Sequence, residues 1–328
     1  MNHSNKIFCL LFTAILVSGA AFADPLPSWN NTGTKSSIIE FVNAVTDPDL
    51  SSFVPVADRI AVFDNDGTLW GEQPVYFQFL FALDRLQEMA RDNPDIITSD
   101  VLRAAAAGDM GAVVSAGEAG LLEVVNVSHS SLSVDEFQTL VSAWMETATH
   151  PVTGRSYADM TYQPMQELLR YLRDEDFTTY IVSGGGVHFM RAFAEKLYGI
   201  PPNQVIGSAG ESRYEVIDGV PTVMKDPGIA FIDDRAGKPV AIDSKIGKRP
   251  IFAAGNSDGD FEMLEWSTSG EGPCFAMIVH HTDADREYAY DRGSSIGGLE
   301  RGLDEADARD WLIVDMAEDW NRIWSDGE

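Results

Sequence analysis

Cysteine is almost missing from this sequence: Cys9 and Cys274 are the only two in 328 residues. Cys9 lies in the uncharged run 7–23, which follows Lys6 and ends in Ala21-Phe22-Ala23. A weakly positive start, an apolar stretch and an A-x-A site form a secretory signal peptide, so residues 1–23 are expected to be removed and the chain to be periplasmic or secreted. The run falls short of the about 20 apolar residues that a permanent helical anchor needs. Cys9 is too far from the cleavage site to carry a lipid. After cleavage Cys274 stands alone, so no intramolecular disulfide is possible, and the chain meets an oxidising compartment by having almost no thiols. Cys274 sits in an apolar run and reads as a buried, inert thiol.

Positive charge is the second shortage. Lys and Arg number 23 against 51 Asp and Glu, a formal net charge of −28. Such a chain repels nucleic acid and anionic lipid, which excludes both as partners. It also repels small anions at long range, so an anionic substrate needs a local metal ion and a few placed cations. Histidine is scarce as well, with six residues. None has metal-ligand spacing with acids or cysteines, His280-His281 included, which argues against zinc. After residue 23 no stretch is long and apolar enough to span a membrane. Internal repeats and long low-complexity tracts are missing. Nothing in the sequence sets an oligomeric state.

What is present is an alternation of strand and helix. Residues 24–34 read as an irregular lead-in and 35–45 as a helix. Residues 59–63 form a short apolar run that stops at Asp64-Asn65-Asp66-Gly67-Thr68, as a buried parallel strand delivering a polar loop. Residues 74–158 have helical spacing and weak strand signals, with helices expected at 76–86, 100–107 and 134–147 and a kinked, glycine-rich middle. Beyond them come a helix from Pro164, a strand at 178–182, a helix at 188–198 stopped by Gly199 and Pro201, and a strand at 204–207. A hairpin follows over 213–224 with its turn at Asp218-Gly219. Strands at 250–254, 275–279 and 311–314 complete a parallel α/β sheet flanked by helices, with a helical insertion. The expected division is a core of 24–73 and 159–328, and a cap of 74–158.

Three strands end in polar loops: residues 64–68, 183–186 and 255–260. Ligands of open α/β sheets bind outside the carboxyl ends of strands. Each loop alone has a bland reading, as a turn, a flexible glycine loop and a solvated or calcium-binding loop. Their joint occurrence in this order is hard to assign to chance. A dinucleotide-binding loop at 183–186 fails, because Phe189 stands where a third Gly or Ala is required.

Phe63-Asp64-Asn65-Asp66-Gly67-Thr68-Leu69 resembles the first motif, DxDGT, of the haloacid dehalogenase-like superfamily. Val182-Ser183-Gly184-Gly185 resembles its second motif, and 255–260 followed by Met263-Leu264 its fourth. Lys238 fits the third, a lysine about 20 residues earlier, with Lys245 and Lys248 as rivals. The phosphoserine phosphatase-like branch, with a helical cap between the first two motifs, is the most similar. The resemblance implies a Rossmann-like core, a magnesium ion and a phosphomonoester hydrolase that passes through an aspartyl-phosphate on a small phosphorylated metabolite. It places catalysis on Asp64 and Asp66, phosphate binding on Ser183, Gly184 and Lys238, and the metal on Asp64, Asp66, Asn256 and Asp260. The family's usual Gly-Asp is Gly255-Asn256 here, with Asp258 as a second candidate ligand.

The chemistry of these residues supports the same roles. A carboxylate at Asp64 can attack phosphorus and split one hard displacement into two. Asp66, two residues on along an extended chain, can protonate the leaving oxygen and then deprotonate water. Gly67 permits the tight turn, and Thr68 can close it. Ser183 and the Gly184 amide can bind phosphoryl oxygens. Magnesium takes hard oxygens, and an ionised Asp64 holding it is expected to have a lowered pKa. His188 and Arg191 read as helix-surface residues, and Trp70 as either entrance or packing under the cap. Rival activities are dehalogenation, which in the family lacks the second aspartate, phosphomutase or phosphonate chemistry, and non-catalytic phosphate or metal binding. The substrate is set by the cap and is not legible. Gln73, with Glu72 beside it, stands where phosphoserine phosphatases carry a substrate-contacting Glu.

Overall fold

The structure is a computed structural model that describes residues 23–325, apart from the side chains of Val114 and Glu118. Residues 1–22, nearly all of the expected signal peptide, lie outside the described residues.

Helix α1 (Gly33–Thr46) leads into β1 (Ile60–Phe63). Five helices follow: α2 (Phe77–Asp92), α3 (Asp100–Ala106), α4 (Met110–Ser115), α5 (Gly117–His129) and α6 (Val134–Thr147). The chain then returns through α7 (Gln163–Asp174), β2 (Thr178–Gly186), α8 (Val187–Arg191), α9 (Ala194–Tyr198), β3 (Val205–Ile217), β4 (Val220–Phe231), α10 (Gly237–Ile246) and β5 (Phe252–Gly255). It ends with α11 (Phe261–Thr268), β6 (Phe275–His280), α12 (Arg301–Glu305), β7 (Leu312–Asp315) and α13 (Met316–Asp319). The sheet has the order β4-β3-β2-β1-β5-β6-β7. Every pairing is parallel except β3 with β4.

β1 lies between β2 and β5 and is buried throughout. Its side chains alternate between two cores, as a strand period of two requires. Ala61 and Phe63 join one apolar cluster, and Ile60 and Val62 join the other. The helices between β1 and β2 carry a third cluster of their own, including Phe79, Leu83, Leu86, Leu102 and Val124. The α6 start is fixed by Ser133 and Glu136 in a reciprocal capping box.

Three expectations differ from the fold. Residues 183–186, expected as a loop, form the irregular end of β2, whose register against β3 shifts between Ser183 and Gly186. The strand at 204–207 and the first arm of the hairpin are one continuous strand, β3, which leaves the parallel sheet after Ser208 and pairs with β4. The turn is as read: Asp218 and Gly219 both have positive φ, as a two-residue hairpin turn needs. The helix at 188–198 is broken into α8 and α9. Ala192 and Phe193 bond three residues back, to Phe189 and Met190. This tighter turn brings the Phe193 ring into a stack on Trp70 at 4.7 Å.

Candidate active site

Because β2, β1 and β5 are adjacent and parallel, their carboxyl ends bring the three polar loops together. Asp64 follows β1, and its amide donates to the Ala254 carbonyl of β5 at 2.9 Å. Its Oδ1 accepts from Lys238 Nζ at 2.7 Å. Lys238, at the start of α10, is 1 % exposed and also donates to Asp260 Oδ1 at 2.5 Å and the Val182 carbonyl at 2.9 Å. Lys245 lies in the last turn of α10, and Lys248 pairs with Asp58 instead.

Asp260 Oδ2 accepts the Asn256 and Ser257 amides at 2.9 and 3.1 Å. Both of its oxygens are therefore engaged, in holding Lys238 and closing the loop after β5. Asn256 Oδ1 accepts from the Thr68 hydroxyl at 3.1 Å, and Nδ2 donates to Glu72 Oε1 at 2.8 Å. Thr68 thus ties the first loop to the third rather than closing its own turn. Gly67 has φ +75°, and a Cβ there would lie 2.1 Å from Asn256 Nδ2, so glycine is required on both counts. Asp258 does not take part: its oxygens accept the Glu300, Arg301 and Gly302 amides at the start of α12.

Asp66 Oδ1 accepts from Trp70 Nε1 at 2.7 Å. Trp70 is wholly buried, so it packs and orients Asp66 rather than lining an entrance. Ser183 Oγ accepts the Gly185 amide at 3.1 Å. A Cβ placed on Gly185 would meet Asp66 Oδ2 and Ser183 Oγ at 3.4 Å each, which shows how closely the first and second loops approach.

Burial, reinforced by the Asp260 charge, pushes the Asp64 carboxyl well above the usual carboxylate range, against the pull of Lys238. The expectation of a lowered Asp64 pKa is therefore not met by the protein's own groups, and a further cation is needed to reverse it. Burial raises Asp66 to about 6, opposed by the Trp70 hydrogen bond. Burial works to lower the Lys238 pKa, but Asp260 and Asp64 outweigh it and hold the ammonium charged.

Several residues here were not legible in the sequence. Glu72 is buried and also accepts from the Tyr290 hydroxyl at 2.7 Å. His281 Nε2 lies 2.8 Å from the Gly67 carbonyl and its ring stacks on Tyr290, so the segment after β6 backs the first loop. Asp233, raised by burial to about 7, follows β4 near Lys238. His188 is not a surface residue: with Gln78, His129 and Lys225 it lines a cavity of about 600 Å³ that also contains Asp64, Asp66, Ser183 and Lys238. Arg191 is structural, donating to the Val205 carbonyl at 3.1 Å. Cys274 is half-buried, with its thiol on the Thr268 carbonyl.

Among the described residues, no three His, Cys, Asp or Glu side chains are grouped as ligands of one ion. The donor set nevertheless suits a hard cation. Asp64, Glu72 and Asp260 are buried carboxylates, Asp66 is half-buried, and Lys238 pairs with Asp64 and Asp260 alone. The other available donors are oxygens, at Asn256 and the main chain. No helix among the described residues is long and apolar enough to cross a membrane.

A family model described as haloacid dehalogenase-like hydrolase matches residues 61–265. No curated protein matches the chain. Similar solved structures include a conserved functionally unknown protein from Anaerococcus prevotii DSM 20548, at 18% identity over 76% of this chain and 86% of that one, TM-score 0.49. A protein with unknown function from Bordetella pertussis Tohama I has 17% identity over 79% and 98%, TM-score 0.49. A phosphoserine phosphohydrolase-like protein from Francisella tularensis subsp. tularensis SCHU S4 has 16% identity over 76% and 98%, TM-score 0.40. At such distances the family match carries the assignment, and it spans the segments that hold Asp64, Ser183, Lys238 and Asp260. The chain belongs to the haloacid dehalogenase-like hydrolases.

Proposed function

We propose that this hydrolase is a phosphomonoesterase that works through an aspartyl-phosphate on Asp64. The observation that carries the reading is the meeting of Asp64, Asp66, Ser183 and Lys238 in one cavity of about 600 Å³. That volume suits a small phosphorylated metabolite.

A phosphate group seated against Lys238 and the Ser183-Gly184 loop presents its phosphorus to Asp64. The Asp64 carboxylate forms a bond to phosphorus as the ester P–O bond breaks, and Asp66 gives its proton to the leaving oxygen. Asp66 then accepts a proton from water as the water oxygen attacks the phosphorus of the acyl phosphate. Inorganic phosphate leaves and Asp64 is restored. An Asp66 pKa of about 6 suits a group that must both hold and accept a proton near neutrality. Lys238 offsets charge on Asp64 and on the phosphoryl oxygens.

Magnesium, which the family resemblance implies, suits the oxygen donors Asp64, the Asp66 main-chain carbonyl and Asn256. It would supply the positive charge that keeps Asp64 ionised. Asp260 anchors Lys238 and the loop after β5 and stands beside Asn256 as the other candidate ligand from that loop. The helices between β1 and β2 read as the cap that closes over the leaving group. Export to the periplasm or medium, with cleavage after Ala23, completes the reading, and N-terminal sequencing of the exported protein should begin at Asp24.

The test is phosphate release from a panel of aryl and alkyl phosphates with magnesium present. Turnover of several esters supports the reading. No release from any of them contradicts it.

A further inference from the structure

Lys225 is a buried cation without a carboxylate partner, and it belongs to the wall of the same cavity. Its main chain is fixed on both sides. The Lys225 amide donates to the Leu132 carbonyl at 2.8 Å, and its carbonyl accepts the Ser131 amide at 2.9 Å. The loop between α5 and α6 is thereby stitched to β4, and the Lys225 side chain is held 7 % exposed. Nζ donates to His188 Nδ1 at 3.3 Å and lies 4.4 Å above the Phe137 ring. Neither partner carries a compensating negative charge. Burial, then the Lys225 charge, lowers His188 to about 4, so this imidazole is neutral at ordinary pH. The neighbouring Asp226 is paired with Arg213. Among the described residues no carboxylate forms an ion pair with Lys225.

A buried, unpaired ammonium is costly, because it has lost water without gaining a counterion. Burial alone brings the Lys225 pKa down to about 8, which leaves it charged at neutral pH. In a chain of net charge −28, a positive spot inside the substrate cavity has a strong local effect. The same cavity is lined by the apolar Leu121, Leu122, Val125, Phe137 and Ile229, of which Phe137 lies under the ammonium, as well as by Asn126 and His129. One ammonium beside a neutral imidazole matches a monoanion, whereas a dianion would need a second cation.

We propose that Lys225 binds a carboxylate on the leaving group, so that the substrates are phosphate esters whose alcohol ends in a carboxylate beyond an apolar spacer. This rests on the phosphomonoesterase reading and adds the chemical class of its leaving group. Lys225 is a specificity residue here and takes no part in the bond changes at phosphorus.

The test compares phenyl phosphate with a carboxylated series of increasing reach: 4-carboxyphenyl, 4-(carboxymethyl)phenyl and 4-(carboxyethyl)phenyl phosphate. It uses the full-length protein with magnesium, as wild type, Lys225→Met and Lys225→Arg. At least one carboxylated ester is expected to have a KM about tenfold or more below that of phenyl phosphate in the wild type. The advantage should vanish in Lys225→Met and persist in Lys225→Arg, while phenyl phosphate kinetics stay within about twofold. Calorimetric binding of the matching phosphonates measures the same difference without turnover. If no ester is hydrolysed, the phosphomonoesterase reading fails while the phosphonate affinities still decide the subsite. Equal affinities across the series in the wild type, or a preference that survives Lys225→Met, would overturn the proposal.

Discussion

Lys238 Nζ lies 2.7 Å from Asp64 Oδ1 across a separation of 174 residues. The sheet order makes this contact possible, because β1 and β5 are neighbours and α10 leads into β5. The same ammonium holds Asp260 at 2.5 Å, so one cation joins the first loop to the third. Lys238→Met is expected to leave two buried carboxylates unpaired. Removing one partner from such a network typically costs roughly 3–5 kcal/mol, and turnover should fall with it. Chemical denaturation of wild type and variant measures the loss. A variant as stable as the wild type would mean that Lys238 does not hold the loops together.

Asp64→Asn keeps the shape of the side chain and removes the nucleophile. Phosphate release is expected to drop by a factor on the order of a thousand or more, with a native circular dichroism spectrum. Ordinary turnover in this variant would leave no role for an acyl phosphate.

Asp66 predicts a split by leaving group. An alkyl oxide needs a proton as it departs and an aryl oxide barely does. Asp66→Asn should therefore slow alkyl esters more than aryl phosphates, on the scale of about 10²–10⁴-fold for general acid catalysis. Loss of the base slows hydrolysis of the acyl phosphate alike for both, so the pre-steady-state rate of leaving-group release for one ester of each kind decides it. Equal losses would confine Asp66 to a metal-holding or structural part.

The same aspartate gives a prediction about stability and pH. Its folded-state pKa is raised to about 6 from the ordinary 3.8, chiefly by burial. The folded protein therefore binds the Asp66 proton more tightly than the unfolded chain. That contribution is fully present below about pH 4 and is lost as pH rises through about 6. Without metal, Asp66→Asn should melt above the wild type at pH 7.5, with the gap closing as pH falls towards 4. Melting curves across that range would show it, and a constant gap would remove burial as the cause.

A chelator is expected to abolish turnover and magnesium to restore it, because the carboxylates at the strand exits exceed the charge that Lys238 supplies. Full activity in chelator-treated protein would exclude a required cation.

The parts of this fold that were legible in the sequence are those set by local pattern. β1 and β5 read as strands because four consecutive buried apolar or small residues leave no other choice in an α/β chain. Asp218-Gly219 read as a hairpin turn because Gly and Asp tolerate positive φ. The break between α8 and α9 was hidden, since no Gly or Pro marks it in the sequence and the stack that accompanies it joins Phe193 to the sequence-distant Trp70. Glu72, His281 and Tyr290 were hidden for the same reason: they meet the first loop only after the segment following β6 folds back. Asp258 shows the reverse error. Its spacing in the loop after β5 suggested a ligand, but the start of α12 takes both of its oxygens. His188 has the spacing of an exposed helix residue and instead lies beside Lys225 in the cavity wall.

The central claim is a phosphoryl group carried by Asp64. Asp66→Asn, given an aryl phosphate, should form the acyl phosphate readily but lose it slowly, since the water attack lacks its base. Acid-quenched protein, digested and examined by mass spectrometry, should then show one added phosphoryl group on the peptide that contains Asp64. The signal should vanish in the Asp64→Asn, Asp66→Asn double variant. Phosphate release by the wild type, with no phosphoryl group on that peptide at any quench time in either form, would contradict the mechanism.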